Sequence, residues 1–251
     1  FAVPSAFLRG IAKSFSGFIP KDAIILHVTK GIEEHSGKTM SHVLKEELGK
    51  NMKIAVMSGP NHAEEVARRL PTATVIASEN SDVREHLCRV FSMPYFKPYP
   101  HDDIAGVEVC GTLKNITAIA IGICDGLNLG DNAKGSILTL GLSEMNAIGR
   151  EFGAKRVTCY GLAGVGDLVA TCFSDHSRNR NFGYLLAKGK TPAQIQKEMH
   201  GMVAEGVKNT KVVYNICIKN GINAPLIKQT YKILYERMKL TKAIDQLLDL
   251  I

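Results

Sequence analysis

The stretch Cys110-Gly-Thr-Leu-Lys-Asn-Ile-Thr-Ala-Ile-Ala-Ile-Gly-Ile-Cys-Asp-Gly-Leu127 marks where the character of the chain changes. Before it, short β-branched runs alternate with helical patterns. After it, strand signals nearly vanish. At its head a single lysine, Lys114, precedes an almost wholly apolar run. A charged amine is expensive to bury without a partner, so this lysine needs a reason to be there.

Toward the N-terminus, Ala23–Val28, Lys53–Met57 and Thr72–Ala77 read as strands, and Phe96–Tyr99 as a weaker, proline-marked edge strand. Ser5–Phe15, Thr39–Leu48, His62–Arg69 and Asp82–Phe91 read as helices, the last capped by Ser81. Strands alternating with helices indicate an α/β sheet. Toward the C-terminus, Ile116–Ile123, Gly135–Phe152, Asn179–Ala187, Pro192–Met199, Val203–Asn220 and Pro225–Glu236 fit helices, with Gly130, Gly153, Gly189 and Gly221 between them. The expected organisation is an α/β domain over residues 1–105 followed by an all-α domain over 106–251.

The chain has 251 residues, 45% of them hydrophobic and 22% charged, which is enough for a real core in two modest domains. The net charge is +7, but Lys and Arg are scattered and aromatics are few. That pattern argues against nucleic acid and for a small anionic ligand. The six cysteines form no CxxC pair and read as small core residues in a reducing compartment, which places the protein in the cytoplasm. No apolar run reads as a membrane span. A homodimer is the commonest symmetric assembly.

Several short motifs could carry chemistry. Lys114 fits two readings: a stem packed on the helix with its amine reaching water, or a desolvated amine tuned to take a proton from an alcohol. Asn115 beside it could orient a hydroxyl or carbonyl. Thr29-Lys30-Gly31-Ile32 follows a strand, where ligands of an open α/β sheet collect; an ordinary turn lysine would look the same. Ser58-Gly59-Pro60-Asn61 offers backbone amides at a strand-to-helix turn, though Asn61 also reads as a plain helix cap. Ser177-Arg178-Asn179-Arg180 opens a helix and could hold an anion through free N–H groups and a guanidinium. Gly161-Leu-Ala-Gly-Val-Gly-Asp-Leu168 follows a possible strand, Val157–Cys159, but lacks the third glycine of a dinucleotide fingerprint. Its Asp167 reads instead as a partner-seeking carboxylate, suited to an amine such as Lys114.

Taken in order, Val3-Pro4-Ser5 with Arg9, Thr29-Lys-Gly-Ile-Glu33, Ser58-Gly-Pro60, Gly106-Val-Glu-Val-Cys-Gly-Thr-Leu-Lys-Asn115, Gly161–Leu168, Ser177–Arg180 and Val203-Ala-Glu-Gly-Val207 resemble the bacterial NAD(P)-dependent glycerol-3-phosphate dehydrogenases over almost the whole chain. The resemblance implies hydride transfer between sn-glycerol 3-phosphate and dihydroxyacetone phosphate, with NAD or NADP as cofactor. It implies Lys114 as the general acid–base, and Lys30, Gly59, Asn61, Asn115, Asp167, Ser177, Arg178 and Asn179 around a small phosphorylated substrate. It places Lys30, Ala63, Arg178, Val203 and Glu205 near the cofactor. Asn61 stands where the family commonly has Ser, and Thr29 where Ser is usual. The resemblance also implies that residues 1–105 are the remainder of a Rossmann-like domain. The strand, GxGxxG turn and helix that open such domains are not in this sequence, which corresponds to on the order of 60 to 80 residues. A related lysine-dependent β-hydroxyacid dehydrogenase and a non-catalytic phosphometabolite- or RNA-binding module are the competing readings.

Overall fold

Four strands, β1 (Ile24–His27), β2 (Lys53–Ser58), β3 (Thr72–Ala77) and β4 (Phe96–His101), form one sheet in that spatial order. The pairs β1–β2 and β3–β4 are parallel, and β2–β3 is antiparallel. This computed structural model describes residues 1–199 and 204–248. The helices are α1 (Ser5–Phe15), α2 (Met40–Leu48), α3 (Ala63–Ala67), α4 (Ser81–Phe91), α5 (Ile104–Gly126), α6 (Gly130–Glu151), α7 (Arg156–Cys159), α8 (Asp167–Phe173), α9 (Arg178–Ala187), α10 (Pro192–Glu198), α11 (Glu205–Asn220), α12 (Pro225–Tyr235) and α13 (Leu240–Leu248). A π-helical turn, Leu162–Gly166, lies between α7 and α8.

The chain forms two compact units, Phe1–Gly111 with Gly149–Asp167, and Thr112–Ile148 with Leu168–Ile251. The sequence pattern suggests a single division at 105/106; instead the chain returns to the first unit over 149–167.

In the first unit the strand period of two sets the layers. Ile54 joins Leu8, Ala12, Ile25, Met40, Val43 and Leu44 under α1 and α2, while Ala55 and Met57 join Ile76, Val83, Leu87, Cys88 and Phe96 under α4. Val56, Val75 and Ala77 pack with Ile104, Val107 and Ala163. Covered on both faces, β2 needs an unbroken apolar run, which Ile54-Ala-Val-Met57 supplies. At the β4 edge, the carbonyls of Tyr95 and His101 accept from Thr72 and Ser78 of the β3 segment. Alternation along the strand then turns Pro98 and Pro100 outward, where their missing N–H groups blunt the edge against further pairing.

Two local expectations are corrected. Asn80, one residue earlier than expected, caps α4 by accepting from Val83 N at 3.1 Å. Val157–Cys159 is a single helical turn rather than a strand. The glycines that follow it serve a close approach: a Cβ on Gly164 would meet the Cys159 backbone, 2.5 Å from its Cα. That segment is pinned by Asp103, whose carboxylate accepts from Lys155 N (2.8 Å), from Thr158 Oγ1 (2.5 Å) and, capping α5, from Gly106 N (2.8 Å).

Against the sequence reading, α5 is long and apolar enough to cross a membrane, yet its apolar window is entirely buried within the protein. A helix that is apolar all round belongs in a core. In the second unit it is the central helix, with Ile116, Ile119 and Ile121 fully buried, each worth about 2 kcal/mol. Gly122 and Gly126 on α5 face Gly183 and Ala187 on α9, where small residues let the two backbones meet. A Cβ on Gly122 would lie 2.8 Å from the Arg180 carbonyl carbon and 2.9 Å from Tyr184 N; one on Gly183 would lie 2.9 Å from the Ile119 carbonyl carbon.

Glu144 of α6 caps α12 from below, accepting from Leu226 N (2.5 Å) and Ile227 N (3.0 Å). Burial pushes its carboxyl up to about 7, against the opposing effect of those two N–H groups. A carboxyl raised in the folded state binds more protons there than in the unfolded chain, so stability falls as pH climbs from the ordinary carboxyl range to about 7. The shift corresponds to about 3 kcal/mol. Glu144→Gln is therefore expected to flatten the urea-midpoint profile between pH 5 and 8 relative to the parent. Identical slopes would contradict this.

Candidate active site

In the first unit, Lys30 leaves the end of β1 on the loop that leads to α2. Its Nζ lies 3.3 Å from Asp167 Oδ2, a carboxylate that is 1% exposed at the start of α8. Within the first unit, Lys30 is an amine beside Asp167. The Lys30 stem runs past Gly111, where a Cβ would lie 3.7 Å from Lys30 Cγ and 2.8 Å from Ser58 Oγ. Glycine at 111 leaves room for both. Thr29 ties the loop down by donating to the Val3 carbonyl at 2.8 Å.

The turn after β2 is shaped by close packing, with Ser58 and Gly59 both buried. Gly59 has φ +149°, and a Cβ there would press on Thr74 Oγ1 at 2.9 Å and Thr74 Cα at 3.1 Å. Only glycine holds this turn without strain. Asn61 donates from Nδ2 to Thr74 Oγ1 at 3.0 Å, and Thr74 donates on to the Ser58 carbonyl at 3.1 Å. Ala63 opens α3 as an exposed residue.

In the second unit, Lys114 is 4% exposed and donates from Nζ to Thr171 Oγ1 at 2.7 Å. The snorkelling alternative is excluded by that burial. Asn115 is equally enclosed, at 5%. Asn179 Oδ1 accepts from Gly206 N at 2.9 Å, which fixes the amide with Nδ2 as its remaining donor. A Cβ on Gly206 would sit 2.6 Å from the Asn115 carbonyl oxygen, so α11 starts hard against α5. Ser177 caps α9, its hydroxyl accepting from Arg180 N at 3.3 Å. Arg178 is the first residue of α9 and is exposed. Arg180 anchors that helix start through Asp125 (2.7 Å) and Asp175 (2.8 Å). Glu205 opens α11 and is half-buried; Val203 lies outside the described residues.

Sequence reasoning missed Thr171. It stands one helical turn after Asp167, and that i, i+4 spacing on α8 was the available signal.

Residues 1–84 match the family model for the NAD-dependent glycerol-3-phosphate dehydrogenase N-terminus, and residues 103–245 the model for its C-terminus. The chain belongs to the NAD-dependent glycerol-3-phosphate dehydrogenase family. Among its relatives, the glycerol-3-phosphate dehydrogenase [NAD(P)+] of Clostridium botulinum is 44% identical over 247 residues, covering 98% of this chain and 74% of that protein. The enzyme of the same name from Fusobacterium nucleatum is 42% identical over 248 residues, with the same coverage. The crystal structure of glycerol-3-phosphate dehydrogenase from Coxiella burnetii superposes with a TM-score of 0.94 at 40% identity, over 98% of this chain and 75% of that one. The chain thus spans about three quarters of the length of these glycerol-3-phosphate dehydrogenases. The two family models meet between residues 84 and 103, close to the change in sequence texture.

Proposed function

We propose that the protein interconverts sn-glycerol 3-phosphate and dihydroxyacetone phosphate by hydride exchange with NAD or NADP, with Lys114 moving the proton of the C2 oxygen. Family membership supports the reaction. The observation that carries the residue assignment is the enclosed Lys114 amine, held at 2.7 Å by Thr171. The nicotinamide, when bound, takes up or gives back the hydride. What remains is work for the protein's own residues.

Lys114 removes the hydroxyl proton during oxidation and returns it to the carbonyl oxygen during reduction. The Thr171 hydroxyl fixes where the amine points. Arg178, Ser177 and Asn179 at the α9 start hold the phosphate and so fix C2, and Lys30 is a further substrate contact. Asp167 neutralises and orients Lys30, and Asn115 orients the C2 oxygen. Gly59 and Asn61 complete the substrate turn, and Ala63, Glu205 and Val203 belong to the cofactor's surroundings, together with Lys30 and Arg178. Residues 1–105 serve as the remainder of the cofactor domain and 106–251 as the substrate domain, apart from 149–167, which packs with the first unit. The six cysteines, buried and free of disulfides, accord with a cytoplasmic setting, and a homodimer is the assembly proposed.

The test is NAD(P)H oxidation by the intact enzyme with dihydroxyacetone phosphate against a panel of β-keto acids. Turnover confined to the phosphorylated ketone is expected. Preference for the keto acids would overturn the assignment. Arg178→Ala is expected to raise the KM for glycerol 3-phosphate by roughly 10- to 100-fold, the worth of a charge-assisted phosphate contact. The kcat should change far less, and an unchanged KM would remove Arg178 from this role.

A further inference from the structure

We infer that Glu108 is a positioning residue for Lys30, one buried carboxylate clamping both ends of the loop that carries this amine. The inference rests on the reading of Lys30 as a substrate contact. Glu108 lies on α5 within the first unit, and its side chain is 2% exposed. One oxygen, Oε1, accepts from Ser41 N at 2.7 Å; the other, Oε2, accepts from Ser41 Oγ at 2.7 Å. Oε1 also lies 3.3 Å from His27 Nε2, an ion-pair distance without hydrogen-bond alignment.

His27 is the last residue of β1, and Ser41 is the second residue of α2. The loop bearing Lys30 runs from one to the other. Its middle is tied separately, by Thr29 to the Val3 carbonyl and by Arg9 to Glu33 at 2.6 Å. Glu108 therefore closes the loop at its base, from inside the core.

A buried carboxylate is a poor way to gain stability, because desolvation offsets much of the attraction. Burial here opposes ionisation, but the contacts from His27 and Ser41 outweigh it and hold the group below the ordinary carboxyl range. The free N–H groups and dipole at the start of α2 favour a negative charge at this spot. What such a group provides is register. Its two oxygens are committed to one residue of α2, so α2 and the end of β1 cannot slide along α5 independently. The foot of the Lys30 loop is fixed in consequence, and with it the reach of the amine.

The experiment compares Glu108→Gln, Ser41→Ala and Lys30→Ala, singly and with each of the first two combined with Lys30→Ala, in the intact enzyme. Glu108→Gln keeps the side-chain shape and removes the charge. Ser41→Ala removes one of the two clamp contacts, and it carries the test alone if the glutamine variant does not fold. The expected result is a rise of about tenfold in the KM for glycerol 3-phosphate for Glu108→Gln and a smaller rise for Ser41→Ala, with kcat within about threefold, the scale of one charge-assisted contact. Neither change should add to the KM of Lys30→Ala, because each acts through that amine. A loss of folded protein alone would lower the active fraction and leave KM unmoved. If Lys30→Ala raises KM while the clamp variants do not, or if their effects multiply with it, the positioning role is overturned. If Lys30→Ala itself leaves KM unchanged, the substrate-contact reading of Lys30 fails, and the inference with it.

Discussion

Lys114→Met lowers kcat by about 100-fold or more in both directions, the lower range for a positioned general acid–base. The reason is the enclosure of this amine. Lys114 is 4% exposed on a helix whose apolar window is wholly buried, so bulk water is poorly placed to take over the proton transfer. Methionine replaces the stem with an apolar chain of similar length that adapts to the same space. It leaves Thr171 without its amine partner and the phosphate-binding residues untouched. Substrate KM should accordingly stay near the parental value while kcat collapses. Steady-state kinetics of the folded variant provide the check, and turnover within a few-fold of the parent would take Lys114 out of the reaction.

Gly183→Ala destabilises the second unit by about 3 kcal/mol, the upper range for overpacking. The new methyl would lie 2.9 Å from the Ile119 carbonyl carbon and 3.0 Å from Ile123 N. Both obstacles are backbone in the middle of α5, which cannot swing aside as a flexible side chain would. The helices must separate, and the close crossing around Gly122 and Gly126 opens with them. The start of α9 carries Ser177, Arg178 and Asn179, so phosphate binding should weaken as well. Thermal unfolding should report a drop of roughly 10 °C. A variant with an unchanged midpoint would show that the α5–α9 contact has slack the structure does not display.

Much of this was legible in the sequence. The strands at Lys53–Ser58 and Thr72–Ala77 emerge from their apolar, β-branched runs, and α1 from its period of about four. Helix α5 was read as Ile116–Ile123 but begins at Ile104. Gly106 and Gly111 depress local helix propensity, and the signal that outweighs them is the Asp103 cap three residues before Gly106. The missed α13 begins beyond the last glycine-marked boundary. The return of 149–167 to the first unit could not be read, since Asp103 holds that segment through contacts more than fifty residues away in the chain. At the site, residue types were readable but pairings were not. Asp167 called for an amine, and within its own unit Lys30 stands beside it, a pairing no local pattern announced. Thr171 carries no charge and sits in an apolar run, so its i, i+4 spacing from Asp167 on α8 was a faint signal of its role.

The central claim is that the nitrogen at position 114 moves the proton. The most direct measurement is turnover of Lys114→Ala as a function of added methylamine, at saturating glycerol 3-phosphate and cofactor. The predicted result is a very low basal rate that rises in proportion to the unprotonated amine. A folded, substrate-binding variant that turns over near the parental rate with no amine present would contradict it.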